Sequence, residues 1–417
     1  MDLRTKSGPG ADRWFFVGGA LLVPLPLVLF AALRAFGVST PASEDLVTLA
    51  VMLPLGGPHV FATVARTFGD TAFWRRATAL AIASVALLVA VPAVAVASTF
   101  FDASIAGRSP MTLLLTGFFF WAGMHVAQQH IHVGMRLSPR SELPRRSAWL
   151  GRAVVLLALY PVSLFRMSMG ATDGAAAVAD PDALATRVVR ALGGSAAFAD
   201  DYVFRIGRAT PVLPELLHGP LPWIMTTAAF VLAYGTLVVR IVRLRQRREA
   251  IAPADRLALV AGACCGLAPL APSLDCAFQG INAWHCFQYL RLALLEHREA
   301  VAGGSVRSHW LREFARPGRA GCAYAIAVGS TLALVAAIFA LAITIEKATD
   351  GRLVLFGHEA PPLDPSTGLP LYRPGSVLFA YYVLGLGLLL VHYLQDTVLS
   401  VQAAFARAPA TAGDRAG

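Results

Sequence analysis

Ten apolar runs recur along this chain, at about 13–38, 43–65, 77–101, 109–135, 148–170, 219–241, 253–271, 274–297, 320–345 and 375–403. Each approaches the ~20 residues that a helix needs to cross a bilayer. Hydrocarbon offers no water to backbone N–H and C=O groups, so a run of this length satisfies them by closing helical hydrogen bonds within itself. The seventh and eighth runs are parted only by the short stretch Ala268 to Pro272. Hydrophobic residues fill 56% of the 417 positions and charged residues only 14%, too little charge for the surface of a water-soluble globule. The expected fold class is all-α: a polytopic transmembrane helix bundle of about ten spans, organised as one integral membrane domain over 1–417. The connections 171–218 and 346–374, rich in Ala, Gly, Pro and Asp, are expected as exterior loops that fold as small caps.

Basic side chains set the expected orientation. Most of the 35 Lys and Arg fall in the N-terminal arm, in 66–76, 136–152, 240–256 and 291–319, and in the C-terminal tail. The positive-inside rule then places both termini and these loops in the cytoplasm, with the plasma (inner) membrane as the location in a bacterium. The same distribution accounts for the net charge of +10 without nucleic acid as a partner. Arg240, Arg243, Arg245, Arg247 and Arg248 directly follow a span, as a membrane-edge anchor does, and no reader fold accompanies them. The first run has a basic start but continues past the length of a signal peptide, without an obvious small-residue cleavage site, so it reads as retained. All five cysteines, Cys264, Cys265, Cys276, Cys286 and Cys322, lie in the seventh to ninth runs, where they are expected to pack between helices rather than build a disulfide framework.

Against this apolar background the histidines stand out. His59, His125, His130, His132, His285 and His392 fall within apolar runs, where a polar side chain is expensive and usually functional. They occupy the second, fourth, eighth and tenth runs, all of which run in the same direction in the expected topology, and each precedes a cytoplasmic basic residue at a spacing that brings the four helices' imidazoles to a similar depth. Residues three, four or seven apart share a helical face, so His125 with His132, and His392 with Asp396, can each point at one centre. Asp275, Gln279, Asn282, His285 and Gln288 form a polar stripe at helical spacing that must face protein or a cavity rather than lipid. In Gly56-Gly57-Pro58-His59 the proline frees a backbone carbonyl and the glycines permit close approach, and Thr63 and Arg66 continue on the same face.

Neutral imidazole is the commonest protein ligand for transition metals, and a nearby carboxylate binds metal or orients a ligand. The expected metal residues are His59, His125, His130, His132, His285, His392 and Asp396. Gln129, Asn282, Gln288, Asp275 and Tyr289 are expected around them or along a cavity. His130, five residues from His125, points about 140° away on an ideal helix and joins only through a bulge or a second metal. The dense run His125 to His132 therefore suggests a dinuclear site. An imidazole and carboxylate donor set points to non-haem iron, with haem, copper and zinc as alternatives.

These residue types in this setting resemble the integral-membrane, histidine-rich non-haem iron oxygenases, the class of fatty acid desaturases and alkyl hydroxylases, although the HxxxH and HxxHH spacings of the desaturases are not present. Gly57-Pro58-His59 and the scattered intramembrane histidines also resemble the Brp/Blh type of carotene-cleaving membrane oxygenases. The resemblance implies hydroxylation, desaturation or oxidative cleavage of a lipophilic substrate drawn from the lipid bilayer. Phe118, Phe119, Phe120, Trp121, Trp284, Phe287 and Tyr289 flank the motifs and can line the substrate cavity. No dinucleotide fingerprint lies between a strand and a helix, so an electron donor is expected to be a separate protein. Two other functions use the same residues: a proton-coupled membrane transporter with the histidines, Asp275 and Asp396 as a relay, and a haem- or metal-binding membrane protein.

Overall fold

In the computed structural model the described residues are 14–38, 40–101, 103–105, 108–137, 145–160, 221–267, 274–316, 318–351, 353 and 375–406. Among them the chain is helical, with one isolated bridge between Ile105 and Arg108. Seven helices are long and apolar enough to cross a membrane, and the protein is an integral membrane protein in that sense: α1 (Phe15–Ala35), α2 (Ala42–Phe68), α3 (Thr78–Phe100), α4 (Pro110–Leu137), α6 (Leu221–Gln246), α9 (Ala320–Ala348) and α10 (Gly375–Val398). The described parts of the other three expected runs also fall largely on helices. These are α5 (Arg145–Leu157), α7 (Pro253–Leu267) and α8 (Leu274–Ala302). At about 1.5 Å per residue α8 is long enough to span, but its polar stripe lowers its hydropathy; the 15 residues of α7 fall short on length. The expected loop 171–218 and most of 346–374 lie outside the described residues.

The most polar of the long helices is the innermost. α8 packs against α1, α2 and α4, while α10 packs against α2, α3, α4 and α9. α5, α6 and α7 form a second group that leans on α4 through α5 and α7. Two apolar cores result. One joins Phe16, Ala127, Val154, Leu237, Leu257, Ile281 and Trp284 across α1 and α4 to α8; the other joins Val91, Met111, Leu115, Phe379, Leu386 and Leu390 across α3, α4 and α10.

Backbone contact draws the inner helices together. Gly280 lies against the Val23 carbonyl, and Gly57 against the Thr331 side chain, so a Cβ at either position would collide. At both places the missing side chain lets one helix approach the next closely. In α1, Phe16 offers its carbonyl to two α8 donors, Trp284 Nε1 at 3.1 Å and Gln288 Nε2 at 2.6 Å. Gln288 of the α8 polar stripe thus finds an acceptor inside the protein, since hydrocarbon offers no water to a polar group.

Candidate metal centre

Local sequence sets each histidine. Met52–Gly56 in α2 forms a π turn that contains Pro54, and His59 lies just beyond it. Pro58 has no N–H for the helix ladder, and the carbonyl of Pro54, four residues earlier, is taken instead by Tyr324 Oη of α9 at 2.6 Å. α10 repeats the device with a π turn at Tyr382–Leu386, one to two turns ahead of His392. Such turns insert a residue into the helical register and re-aim the side chains beyond them; they are frequent at functional sites. His125 sits in the middle of α4, and His285 in α8 is flanked by buried Trp284, Cys286 and Gln288.

The four imidazoles meet. His59, His125, His285 and His392 are 0 to 3% exposed, and one ring nitrogen from each lies within 4.8 Å of all the others. His125 Nε2 and His285 Nε2 are 3.1 Å apart. Ring centroids are separated by 4.2 Å for His59 and His392, 4.9 Å for His59 and His285, and 4.8 Å for His125 with either His285 or His392. Both nitrogens of His59, Nδ1 of His285 and Nε2 of His392 have no hydrogen-bond partner among the described residues. Imidazole ligands on opposite sides of one ion stand about 4.2 Å apart, so this cluster could hold a metal after the widest pair closes by roughly half an ångström.

A polar shell lies one turn beyond. The residue four positions after each histidine is polar: Thr63, Gln129, Tyr289 and Asp396. His392 Nδ1 is 2.8 Å from Thr63 Oγ1; Thr63 donates to Asp396 Oδ1 at 3.2 Å, and Tyr289 Oη donates to the same oxygen at 2.7 Å. Thr63 and Tyr289 also contact each other directly. With Thr63 donating to the carboxylate, the matching tautomer of His392 has its proton on Nδ1 and would leave the Nε2 lone pair for the cluster. Gln129 Nε2 donates to the backbone oxygen of His285 at 2.8 Å. Contacts between residues at the same offset on α2, α8 and α10 mean that these helices run parallel.

Other expected site residues go elsewhere. His130 is not with the four: its Nδ1 meets the Val126 carbonyl at 2.8 Å and its ring packs edge-on against Trp284. Its angular offset from His125 is realised without a bulge. His132 shares a face with His125 but not a level, and its Nε2 meets Glu296 Oε1 at 2.9 Å. Of the dense α4 run suggested as part of a dinuclear site, only His125 lies in the four-histidine group. Asp396 lies beside His392, with Oδ2 at 3.7 Å from Nδ1, and reaches it through Thr63. Asn282 bonds Gln279 and accepts from the Cys286 thiol, and Gln288 ties α8 to Phe16. The Asp275 side chain lies outside the described residues. Of the aromatic residues, Tyr289 stands edge-on to His59 at 4.2 Å, whereas Phe287 stacks on Phe15.

Two contributors escape a reading of the sequence. Tyr393 stacks on His125 at 4.4 Å, with Phe118 stacked on its far side and Trp121 at 6.1 Å. Glu296 bonds both His132 and Arg66, the latter at 3.1 Å, and so links α8 to α4 and α2 below the cluster. The only sequence signal for Glu296 is an acid in register with Tyr289, two turns on along α8. Compared with known proteins, the chain matches no family model, no curated protein and no solved structure.

Proposed function

We propose that this protein is an integral-membrane non-haem iron oxygenase that hydroxylates, desaturates or oxidatively cleaves a lipophilic substrate, with ten spans and both termini in the cytoplasm. One observation carries the reading: four helices bring four imidazoles to one point inside an apolar bundle, three of them with ring nitrogens that have no hydrogen-bond partner among the described residues. Unpaired polar groups in such a place cost several kcal/mol each, and a bound ion removes that cost. His130 and His132 are engaged elsewhere, which favours one ion over two. Rings packed on all sides at 4 to 6 Å leave no slab for a porphyrin.

Iron held there would supply the dioxygen chemistry. The chain's own residues do the rest. Four neutral imidazoles leave the charge of a divalent ion unbalanced, and Asp396 offsets part of it while fixing the His392 ring through Thr63. Apolar cores on both sides of the cluster exclude water and suit a substrate dissolved in the bilayer, and Tyr393 covers one side of His125. Electrons come from a separate donor protein at the cytoplasmic face. A proton-coupled transporter is the second reading, favoured by the Arg66–Glu296–His132 network below the cluster.

Metal analysis and an optical spectrum of the purified protein test the proposal. About one iron per chain, lost together with oxidation of a lipophilic substrate in His125→Ala and His392→Ala, is the expected result. Wild-type protein without a stoichiometric transition metal would overturn it in favour of the transporter, and an intense haem band would assign the ligands to haem.

A further inference from the structure

Carboxylates descend in steps from the arginine-rich end of the bundle to the four histidines. The Glu299 side chain is 60% exposed, Glu296 24%, Asp396 8% and His392 0%. Glu296 and Glu299 lie one turn apart on α8, and Tyr289, two turns before Glu296, donates to Asp396. Among the described residues, two buried oxygens just below the cluster have no hydrogen-bond partner: Oδ2 of Asp396 and Oε1 of Gln129. A structural network would be expected to use them. Free oxygen donors, buried beside a ring of imidazoles and joined to the surface by two further acids, instead suit a cation in transit.

We infer that this ladder is the loading route of the metal centre, with the contact of Glu296 with Arg66 as its latch. The inference rests on the proposed metal centre. A hydrated divalent cation is collected at Glu299 and Glu296, passes the free oxygens of Asp396 and Gln129, and exchanges its water for the four imidazoles. Oxygen donors suit hard, weakly held ions and imidazole suits the transition metals, so each transfer leads to a tighter site. Arg66 and His132 hold Glu296 from α2 and α4, and Arg136 holds Glu299. These groups keep the route closed, and an entering cation opens it by taking Glu296 from Arg66.

The test uses the full chain in detergent, stripped with a chelator and mixed with Co2+ alone, whose visible absorption reports nitrogen ligation. Glu296→Gln is expected to load about tenfold more slowly than wild type, the loss expected when a charged entry is neutralised, yet reach the same final absorbance. Arg66→Gln removes the latch and is expected to load faster, and to release metal to chelator faster. Should Glu296→Gln fail to fold, Glu299→Gln (slower) and Arg66→Gln (faster) carry the test. Wild-type loading rates in these variants, or a final absorbance that falls in step with the rate, would overturn the route. Wild-type protein that takes up no Co2+ at any time would overturn the centre itself, which separates the two failures.

Discussion

Two helices of this bundle have the same length and opposite lives. α8 and α9 each contain 29 residues. In α8, Cys276, Ile281, Trp284, His285, Gln288, Tyr289 and Leu292 are all buried; in α9 only Thr331 and Ala342 are, while Ile326, Leu332, Phe339 and Ile343 face outward. In water the apolar helix would be the buried one. In a bilayer the lipid is as apolar as leucine, so nothing drives α9 inward, whereas the histidine, amides and tyrosine of α8 have partners only inside the protein. Hydropathy therefore finds the scaffold and three of the four site helices, and passes over α8, which carries His285.

That contrast breaks most sharply at His285. Replacing it by Ala is expected to lower bound metal and activity by more than about 100-fold, beyond what loss of an outer-shell partner brings, while the protein still inserts. Retained metal in this variant would make α8 a packing element only. Trp284→Ala comes next. The Trp284 side chain is fully buried and bonded to Phe16, so the change is expected to cost about 3 kcal/mol, the low end for a buried aromatic because lipid supplies no water-transfer term. Thermal unfolding in detergent measures it. Asp396→Asn should weaken metal binding about 10- to 100-fold, read by chelator competition, without displacing the helices. The smallest effect belongs to α9: Phe339→Ala, on the lipid side, should change stability by less than about 0.5 kcal/mol and metal content not at all. A large effect there would assign α9 a partner in the membrane.

Much of this is readable from residues. An imidazole inside an apolar run is conspicuous, and equal depth on four runs of one direction is enough to bring His59, His125, His285 and His392 together. The same rule fails for His132, because seven residues return to the same face about 10.5 Å further along the axis, where a different partner waits. That partner, Glu296, belongs to another helix and no spacing within α4 announces it. The four polar residues at Thr63, Gln129, Tyr289 and Asp396 are present as a repeated offset, but the offset gains meaning only once the helices are known to be parallel. Tyr393 is beyond reach for a related reason: it follows His392 directly, about 100° round the helix, and its ring stacks on the histidine of α4.

The double acceptor role of the Phe16 carbonyl has a consequence for biosynthesis. Its partner Trp284 emerges 268 residues later, and Gln288 after that. Until then α1 waits in the membrane with this carbonyl uncommitted to α8. α8 in turn leaves the insertion machinery too polar to rest among lipids, and its first partners are helices already laid down, α1, α2 and α4, before Asp396 of α10 accepts from Tyr289. α10, which follows the other three in the chain, then delivers His392 and Asp396 into a cleft that they have shaped. The four-histidine cluster is therefore completed only when α10 arrives.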